Sequence, residues 1–488
     1  MELTKILDSI KTIQVVGEVQ RKDVSGIFYD SRKVQINSIF VAVKGFKTDG
    51  HKYILDALNK GAIAIVVEDN NSIPDEMFAH DHKAKIVVRN SRIALAELSS
   101  ILYKEPSKKL KLIGITGTNG KTTTSYYIKN ILEASGAKVG LIGTIANYIG
   151  TKKVYTEMTT PESVEINHLL FDMYQKHCSY AVMEVSSHSL ALNRVYGLNF
   201  SSGVFTNITS DHLDFHNTFE NYLNAKKILF DILPQSAFGV FNSDDKNSLT
   251  LIKNSQAKTF SYGTASNADF SFYNVKYDLN GTSFNLVYDG RDYSISTSLI
   301  GEFNAYNACA AFATTVLFGI EEDVSIEGIK KTQHVPGRFE VIGNDKKIIV
   351  DYSHTADSLE KALQALHKIV NGNNQIYTVF GCGGDRDKTK RPVMGKIAAD
   401  LSDKVIVTSD NPRTENPMSI IEDIERGITK KNYQTIPDRE EAIRYAIYNS
   451  EPNAVILIAG KGHEDYQEVN GVRKHFSDKE IADKYLFR

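Results

Sequence analysis

The chain has 488 residues, too many for one hydrophobic core and enough for about three domains of ordinary size. A formal net charge of -2 supplies no global basic field and no local basic patch stands out, which argues against nucleic acid or a membrane surface as partner. Cys178, Cys309 and Cys382 have neither disulfide nor metal spacing, the start lacks a signal-peptide core and no apolar run reaches membrane-spanning length, so a soluble, cytoplasmic protein is expected.

In chain order, "SIFVAVKG", "HKYILDALNKGAIAIVVED" and "AKIVVRN" set short β-branched runs around a segment with helical apolar spacing, the pattern of a small α/β unit. "NSRIALAELSSILYKEP" reads as a helix ended by Pro106, and "KLKLIGITGTNGKTTTSYYIKNILEASG" as strand, glycine-rich turn and helix. Strands are expected at "KVGLIGT", "YAVMEVS", "SGVFTNI" and "FGVFNSDD", interleaved with helices such as "ENYLNAKKILFDIL", which predicts a mostly parallel sheet covered on both faces. Residues 258–300 turn β-rich, as a hairpin insertion rather than a new domain. A third α/β alternation starts near "HVPGRFEVIG" and contains "KKIIVDYSH", "QIYTVFGCGG", "DKVIVTSDN" and "NAVILIAGKGHED". The expected fold class is therefore α/β in three domains, 1–90, 91–335 and 336–488.

The turn "GITGTNGKTTT" is the strongest chemical signal. Gly114, Gly117 and Gly120 let backbone N–H groups converge on phosphate oxygens at a helix N-terminus, Lys121 reaches terminal phosphates and Thr122 is placed for Mg²⁺. Ile115 stands where the strict phosphate-loop pattern has its first glycine, so an ordinary tight turn is the competing reading. Nucleotide binding is favoured, with Gly117, Thr118, Asn119, Gly120, Lys121, Thr122 and Thr123 as contacts. Glu184 ends "AVMEV", where a carboxylate overhangs a neighbouring phosphate loop and suits Mg²⁺, although a strand-end Glu is also an ordinary surface charge. His212, beside Asp211 and Asp214, reads equally as a hydrogen-bonded loop histidine. "SDNPR" reads as a turn, with Asn411 and Pro412 as turn formers, unless Arg413 has a ligand.

Taken together, "TGTNGKTTT", "TTPES", "MEVSSHSL", "TNITSDHLDFH", "GEFNAYNACAA", "VPGRFE", "VDYSHTADSLEKAL", "GCGGDRDKTKRPVMG", "SDNPRTENP" and "AGKGHEDYQ" resemble the Mur ligase family over nearly the whole chain. That family builds the peptide stem of peptidoglycan precursors in the cytoplasm, and so serves cell wall biogenesis, cell shape and cell division. The resemblance is strongest to members that add meso-diaminopimelate to UDP-N-acetylmuramoyl-L-alanyl-D-glutamate. It implies a UDP-binding first domain, a central ATPase domain and a Rossmann-like C-terminal domain that binds the amino acid. The implied reaction is ATP-dependent amide formation through an acyl phosphate, in a monomer. Two Mg²⁺ are implied, with Thr122, Glu184, His212 and Lys226 as ligands and Lys226 carbamylated; without the resemblance Lys226 is a solvated helix lysine. Asn304 corresponds to the adenine contact, and Arg338 and Asp351 to ATP contacts from the last domain. Ser353 and Ala356 stand where the family usually has Ala and Pro.

The resemblance further implies UDP contacts at Ser31, Phe46, Lys47 and Thr48, and muramoyl-dipeptide contacts at Thr159, Thr160, Ser186 and Arg194. For diaminopimelate it implies Arg386, Asp410, Asn411, Pro412, Arg413, Gly460 and Glu464. The alternatives are a lysine-adding relative, which lacks the arginine of "DNPR", and, more remotely, a phosphate-loop phosphotransferase, which needs neither Arg338 nor Asp351.

Overall fold

Among the described residues, three large sheets, each with its own helices, and a two-stranded ribbon of Tyr466–Val469 and Val472–His475 organise the chain. The computed structural model describes all residues except 46, 47, 79–81, 344, 345, 371, 373, 487 and 488. The first sheet runs in the order Gln14–Gly17, Ala84–Val87, Ala62–Val67, Ser38–Val41, Ile27–Phe28, with only its first pair antiparallel. Strand Ala62–Val67 is buried at every position, as suits a β-branched run covered on both faces.

Helix Ser91–Leu102 is capped by Asn90, whose side chain accepts from the N–H groups of Arg92 and Ile93 at 3.0 Å. Its Ala94, Leu95 and Leu98 pack with Ile6, Ile39 and Val66 in the core of this first sheet. We therefore place the domain boundary after Leu102 rather than near residue 90. A capping signal marks where a helix starts; it does not say which core the apolar face will join.

The central sheet has eleven strands. From Phe270–Asp278 through Lys258–Gly263, Phe238–Asn242, Phe200–Phe205, Lys111–Thr116 and Tyr180–Glu184 to Val139–Ile142 it is parallel. Antiparallel strands extend both edges, Gly281–Tyr288 and Arg291–Thr297 on one side, Asn147–Ile149 and Lys152–Val154 on the other. The β-rich stretch is thus an extension of the central sheet. Chain order reverses around Lys111–Thr116, which has Phe200–Phe205 on one side and Tyr180–Glu184 on the other. The crevice beyond the carboxyl end of such a strand is where open α/β sheets bind ligands.

The third sheet runs Glu340–Ile342, Lys347–Asp351, Val455–Ala459, Ile376–Phe380, Lys404–Val407, Tyr433–Thr435, parallel except for the first pair. It lies against the central domain through Lys368 and Glu302, paired at 3.1 Å, and through contacts at the phosphate loop itself. Among the described residues no helix is long and apolar enough to cross a membrane.

Candidate active site at the carboxyl ends of two sheets

The loop between strand Lys111–Thr116 and helix Lys121–Ala134 owes its shape to two close approaches. Gly120 has φ +86°, and a Cβ there would lie 2.4 Å from Asn307 Oδ1; a Cβ on Gly117 would lie 1.9 Å from Thr206 Oγ1. Asn207 and Thr206, beyond the neighbouring strand, brace the loop from behind. The Asn119 N–H donates to Asn207 Oδ1 at 3.0 Å, and Thr206 Oγ1 donates to the Asn119 carbonyl at 2.6 Å. Thr118 Oγ1 bonds Tyr222 OH at 3.0 Å. Thr123, in the first turn of the helix, is buried. Lys121 Nζ donates to the carbonyls of Gly117 and Thr118, both at 2.9 Å.

Glu184 is 1% exposed and fully engaged. It accepts from Thr122 Oγ1, the Thr144 N–H and Thr144 Oγ1, each at 2.9 Å. Arg338, from the third domain, donates through Nη2 to Thr122 Oγ1 at 3.2 Å, and its guanidinium lies 4.4 Å from the centroid of the Tyr352 ring. Asn119 reaches the same domain by donating to Asp357 Oδ2 at 2.8 Å.

Lys226 lies on helix Phe219–Asp231, 1% exposed, and donates to the Gly117 carbonyl at 2.7 Å. Burial, then the neighbouring Lys121 charge, pushes its pKa well below the ordinary lysine value. His212, in a left-handed conformation at φ +55°, is pushed down to about 4, chiefly by burial, so its imidazole is neutral. These donors suit a magnesium ion carried on phosphate oxygens, which needs few protein ligands. Thr122 and Glu184 fit directly; Lys226 fits only with its amine converted to an anionic carbamate. Among the described residues there is no cluster of three or more His, Cys, Asp or Glu side chains able to hold a metal unaided.

Beside this centre, Thr160 Oγ1 donates to the Glu184 carbonyl at 2.8 Å and accepts from the Ser186 N–H at 3.0 Å. Thr159 Oγ1 lies within hydrogen-bond distance of Thr144 Oγ1, at 3.0 Å. Arg194 donates to the Thr160 carbonyl at 3.0 Å and pairs with Glu162 at 2.8 Å. All four expected dipeptide contacts therefore gather within a few side chains of Glu184.

A second constellation lies at the carboxyl ends of the third sheet. Lys461, 0% exposed, donates to Asn411 Oδ1 at 3.1 Å and pairs with Glu464 at 3.3 Å, while Asn411 Nδ2 donates to Glu464 Oε2 at 2.8 Å. Burial and the nearby Asp410 raise the Glu464 pKa. Gly460 has φ +120°, and a Cβ there would stand 2.7 Å from Asp410 Oδ2. Arg413, at φ +51°, donates through Nη1 to the Gly384 carbonyl at 2.7 Å and follows the buried Pro412. Arg386 is exposed at the rim.

Asp351 accepts from the Phe339 N–H at 2.7 Å and from the Ser353 hydroxyl. Asn304 is buried, donating to the Ile300 carbonyl at 2.9 Å and accepting from Asn307 at 3.1 Å; the side chain above Gly120 is that of Asn307, not Asn304. In the first domain Ser31 is buried, Thr48 Oγ1 bonds Tyr53 OH at 3.1 Å, and Phe46 and Lys47 lie outside the described residues. Sequence reasoning missed Thr144, Asn307 and Lys461. Lys461 sits inside a quoted motif, and Thr144 is the polar residue ending "KVGLIGT".

Family models match three stretches: "Mur ligase family, catalytic domain" over residues 23–103, "Mur ligase middle domain" over 115–315 and "Mur ligase, glutamate ligase domain" over 337–462. UDP-N-acetylmuramoyl-L-alanyl-D-glutamate--2,6-diaminopimelate ligase 1 of Clostridium acetobutylicum is 44% identical, covering 100% of this chain and 99% of its own. The chain belongs to the Mur ligase family. The corresponding diaminopimelate ligase of Bacteroides thetaiotaomicron is 43% identical, with 99% of each chain covered. Among solved Mur ligases, a UDP-N-acetylmuramoyl-L-alanyl-D-glutamate--2,6-diaminopimelate ligase superposes with a TM-score of 0.71 at 32% identity over 100% of this chain and 99% of that one. The MurF ligase from Thermotoga maritima, solved in complex with ADP, shares the fold at a TM-score of 0.64 and 19% identity, covering 94% of this chain and 96% of that one.

Proposed function

We propose that this Mur ligase is a cytoplasmic, monomeric enzyme that joins meso-diaminopimelate to the D-glutamate γ-carboxylate of UDP-N-acetylmuramoyl-L-Ala-D-Glu with ATP. The observation that carries the reading is Arg338 meeting Thr122: the domain bearing Arg413 and Glu464 touches the phosphate end of the loop. Relatives named for this reaction at 43–44% identity over the whole chain support it.

The glutamyl carboxylate, held near Thr160, Ser186 and Arg194, attacks the γ-phosphorus of ATP; the bond to ADP breaks and an acyl phosphate forms. The amine of diaminopimelate then attacks the acyl carbon, loses a proton, and the tetrahedral adduct collapses to amide and phosphate. Lys121 turns from the loop carbonyls to the transferring phosphoryl group, where fixed positive charge lowers the barrier. Asn304 and Asp351 hold the nucleotide, and Ser31, Phe46, Lys47 and Thr48 the uridine diphosphate. Thr122, Glu184, His212 and a carbamylated Lys226 would hold two Mg²⁺, which supply positive charge to the phosphoryl oxygens when bound. Arg413 meets the distal carboxylate, with Arg386 at the rim, and Asp410, Asn411 and Glu464 meet the ammonium.

The test is an assay with ATP, the UDP-linked dipeptide and an amine. Phosphate release is expected only with all three, with meso-diaminopimelate far ahead of L-lysine. Phosphoryl transfer that ignores the amine would point to a phosphotransferase instead.

A further inference from the structure

Arg413 has a left-handed backbone, at φ +51°, and so does Asp385 in the facing loop, at φ +54°. Non-glycine residues pay for that conformation, and it persists where surrounding contacts over-determine it. The contacts here form a two-layer clasp. On the outer layer the Gly384 N–H donates to the Asn411 carbonyl at 2.9 Å, and Arg413 Nη1 donates back to the Gly384 carbonyl at 2.7 Å. Thr414 Oγ1 donates to Asp385 Oδ1 at 2.7 Å.

Beneath it lies Arg391, 0% exposed on helix Lys390–Leu401. Its guanidinium meets Glu415 through two nitrogens, Nη2 to Oε1 at 2.8 Å and Nη1 to Oε2 at 3.0 Å. It also reaches Asp423 at 3.0 Å and the Gly383 carbonyl at 3.3 Å. Glu415 Oε1 in turn accepts from the Asp385 N–H at 2.6 Å. One buried cation thus ties the loop carrying Arg413, the loop carrying Asp385 and helix Pro417–Glu425 together. The hydrogen bonds from Arg391 hold Glu415 ionised, its pKa pushed down to about 2.

We propose that Arg391 and Glu415 are positioning residues for amino-acid selection, fixing the guanidinium of Arg413 where it meets the distal carboxylate of the incoming diamino acid. Neither touches substrate. The arrangement explains why the guanidinium can discriminate: one N–H is already committed to Gly384, so the directions of the others are set before substrate arrives. The inference rests on the reading of Arg413 given above.

The experiment compares wild type with Glu415→Gln, Glu415→Asp and Asp385→Ala, measuring kcat and KM for meso-diaminopimelate and L-lysine, KM for ATP, and Tm. Asp385 is exposed and its carboxylate accepts from Thr414, so its variant acts first on the outer layer. Glu415→Gln should raise KM for meso-diaminopimelate about ten- to a hundredfold, with kcat and the KM for ATP nearly unchanged and the preference over lysine reduced. Asp385→Ala should move the same quantities less far, and Glu415→Asp should recover part of the loss. If the variants lower Tm while KM and the preference stay at wild-type values, the clasp is only structural and the inference is overturned. If wild type itself uses lysine as readily as meso-diaminopimelate, the reading of Arg413 fails and this inference falls with it.

Discussion

Lys121 and Lys226 donate to the same oxygen, the Gly117 carbonyl, at 2.9 and 2.7 Å. Two ammonium groups on one buried acceptor repel each other, and burial disfavours both charges, so one amine is driven toward its neutral form. A neutral amine is the form that adds CO2: its nitrogen bonds the carbon, a proton leaves, and a carbamate results. On the proposed reading, Lys226→Ala should therefore lower turnover by on the order of a hundredfold or more, since it removes an anionic oxygen ligand that would hold Mg²⁺ for phosphoryl transfer. Acetate or formate should restore part of it by occupying the vacated space. Wild-type rates from the alanine variant in CO2-depleted buffer would reduce Lys226 to a packing residue.

Lys121→Ala tests the other amine. Here the loss should fall chiefly in kcat, by about a hundredfold or more, because the interaction is made with charge that develops during phosphoryl transfer. Near-normal ligation would remove Lys121 from the reaction.

Domain closure is the third expectation. Asn119 donates to Asp357 across the domain boundary, and Asp357 also pairs with Lys361 at 3.0 Å on its own helix. Asp357→Ala should leave the third domain folded but loosen its contact with the phosphate loop. Small-angle scattering should then record a more open particle without nucleotide, and KM for ATP should rise several-fold. An unchanged scattering profile together with an unchanged KM would mean that the bond follows closure without contributing to it.

The phosphate loop is legible in the sequence because its physical demands fall on adjacent residues: glycines where side chains would collide, then Lys121 and Thr122 opening a helix. Glu184 is legible as the polar end of an apolar strand. The braces are not. Asn307 lies within an alanine-rich helix and Thr206 follows a strand that is far away in sequence, and only folding reveals that their side chains fill the space that Gly120 and Gly117 leave open. Helix Ser91–Leu102 has a clear start and an apolar face, yet its membership in the first domain depends on tertiary packing that periodicity cannot encode. Lys461 falls between these cases, visible in a motif but given meaning by its burial against Asn411 and Glu464.

Glu464 supplies a pH dependence. Burial and Asp410 raise its pKa, so at mildly acidic pH a larger share is neutral than for an exposed glutamate. Binding a substrate ammonium requires the ionised form. KM for meso-diaminopimelate should therefore fall as pH rises through that elevated pKa, while KM for ATP follows a different profile. Glu464→Gln should have a higher KM that lacks this acidic limb. If the limb persists in the glutamine variant, another group is responsible.

On the proposed reading, Arg413 is the residue that distinguishes diaminopimelate from lysine, which differ by one carboxylate at the far end. A site that prefers the larger amino acid must compensate that charge where water is scarce, and guanidinium suits the task because it stays charged and offers paired N–H groups. Arg413 is half-buried, with its backbone N–H donating to the Glu468 carbonyl at 3.0 Å and its carbonyl accepting from the Asn470 N–H at 2.7 Å. Truncating one partner of a buried charged pair costs about 2 to 5 kcal/mol, roughly thirtyfold to several thousandfold in affinity. Arg413→Ala should raise KM for meso-diaminopimelate by that order while leaving ATP binding almost unchanged. Lysine, which has no distal carboxylate, should be affected far less, so the ratio of the two kcat/KM values should collapse toward unity. A variant that loses both substrates equally would place Arg413 in the architecture of the loop and outside the recognition of the carboxylate.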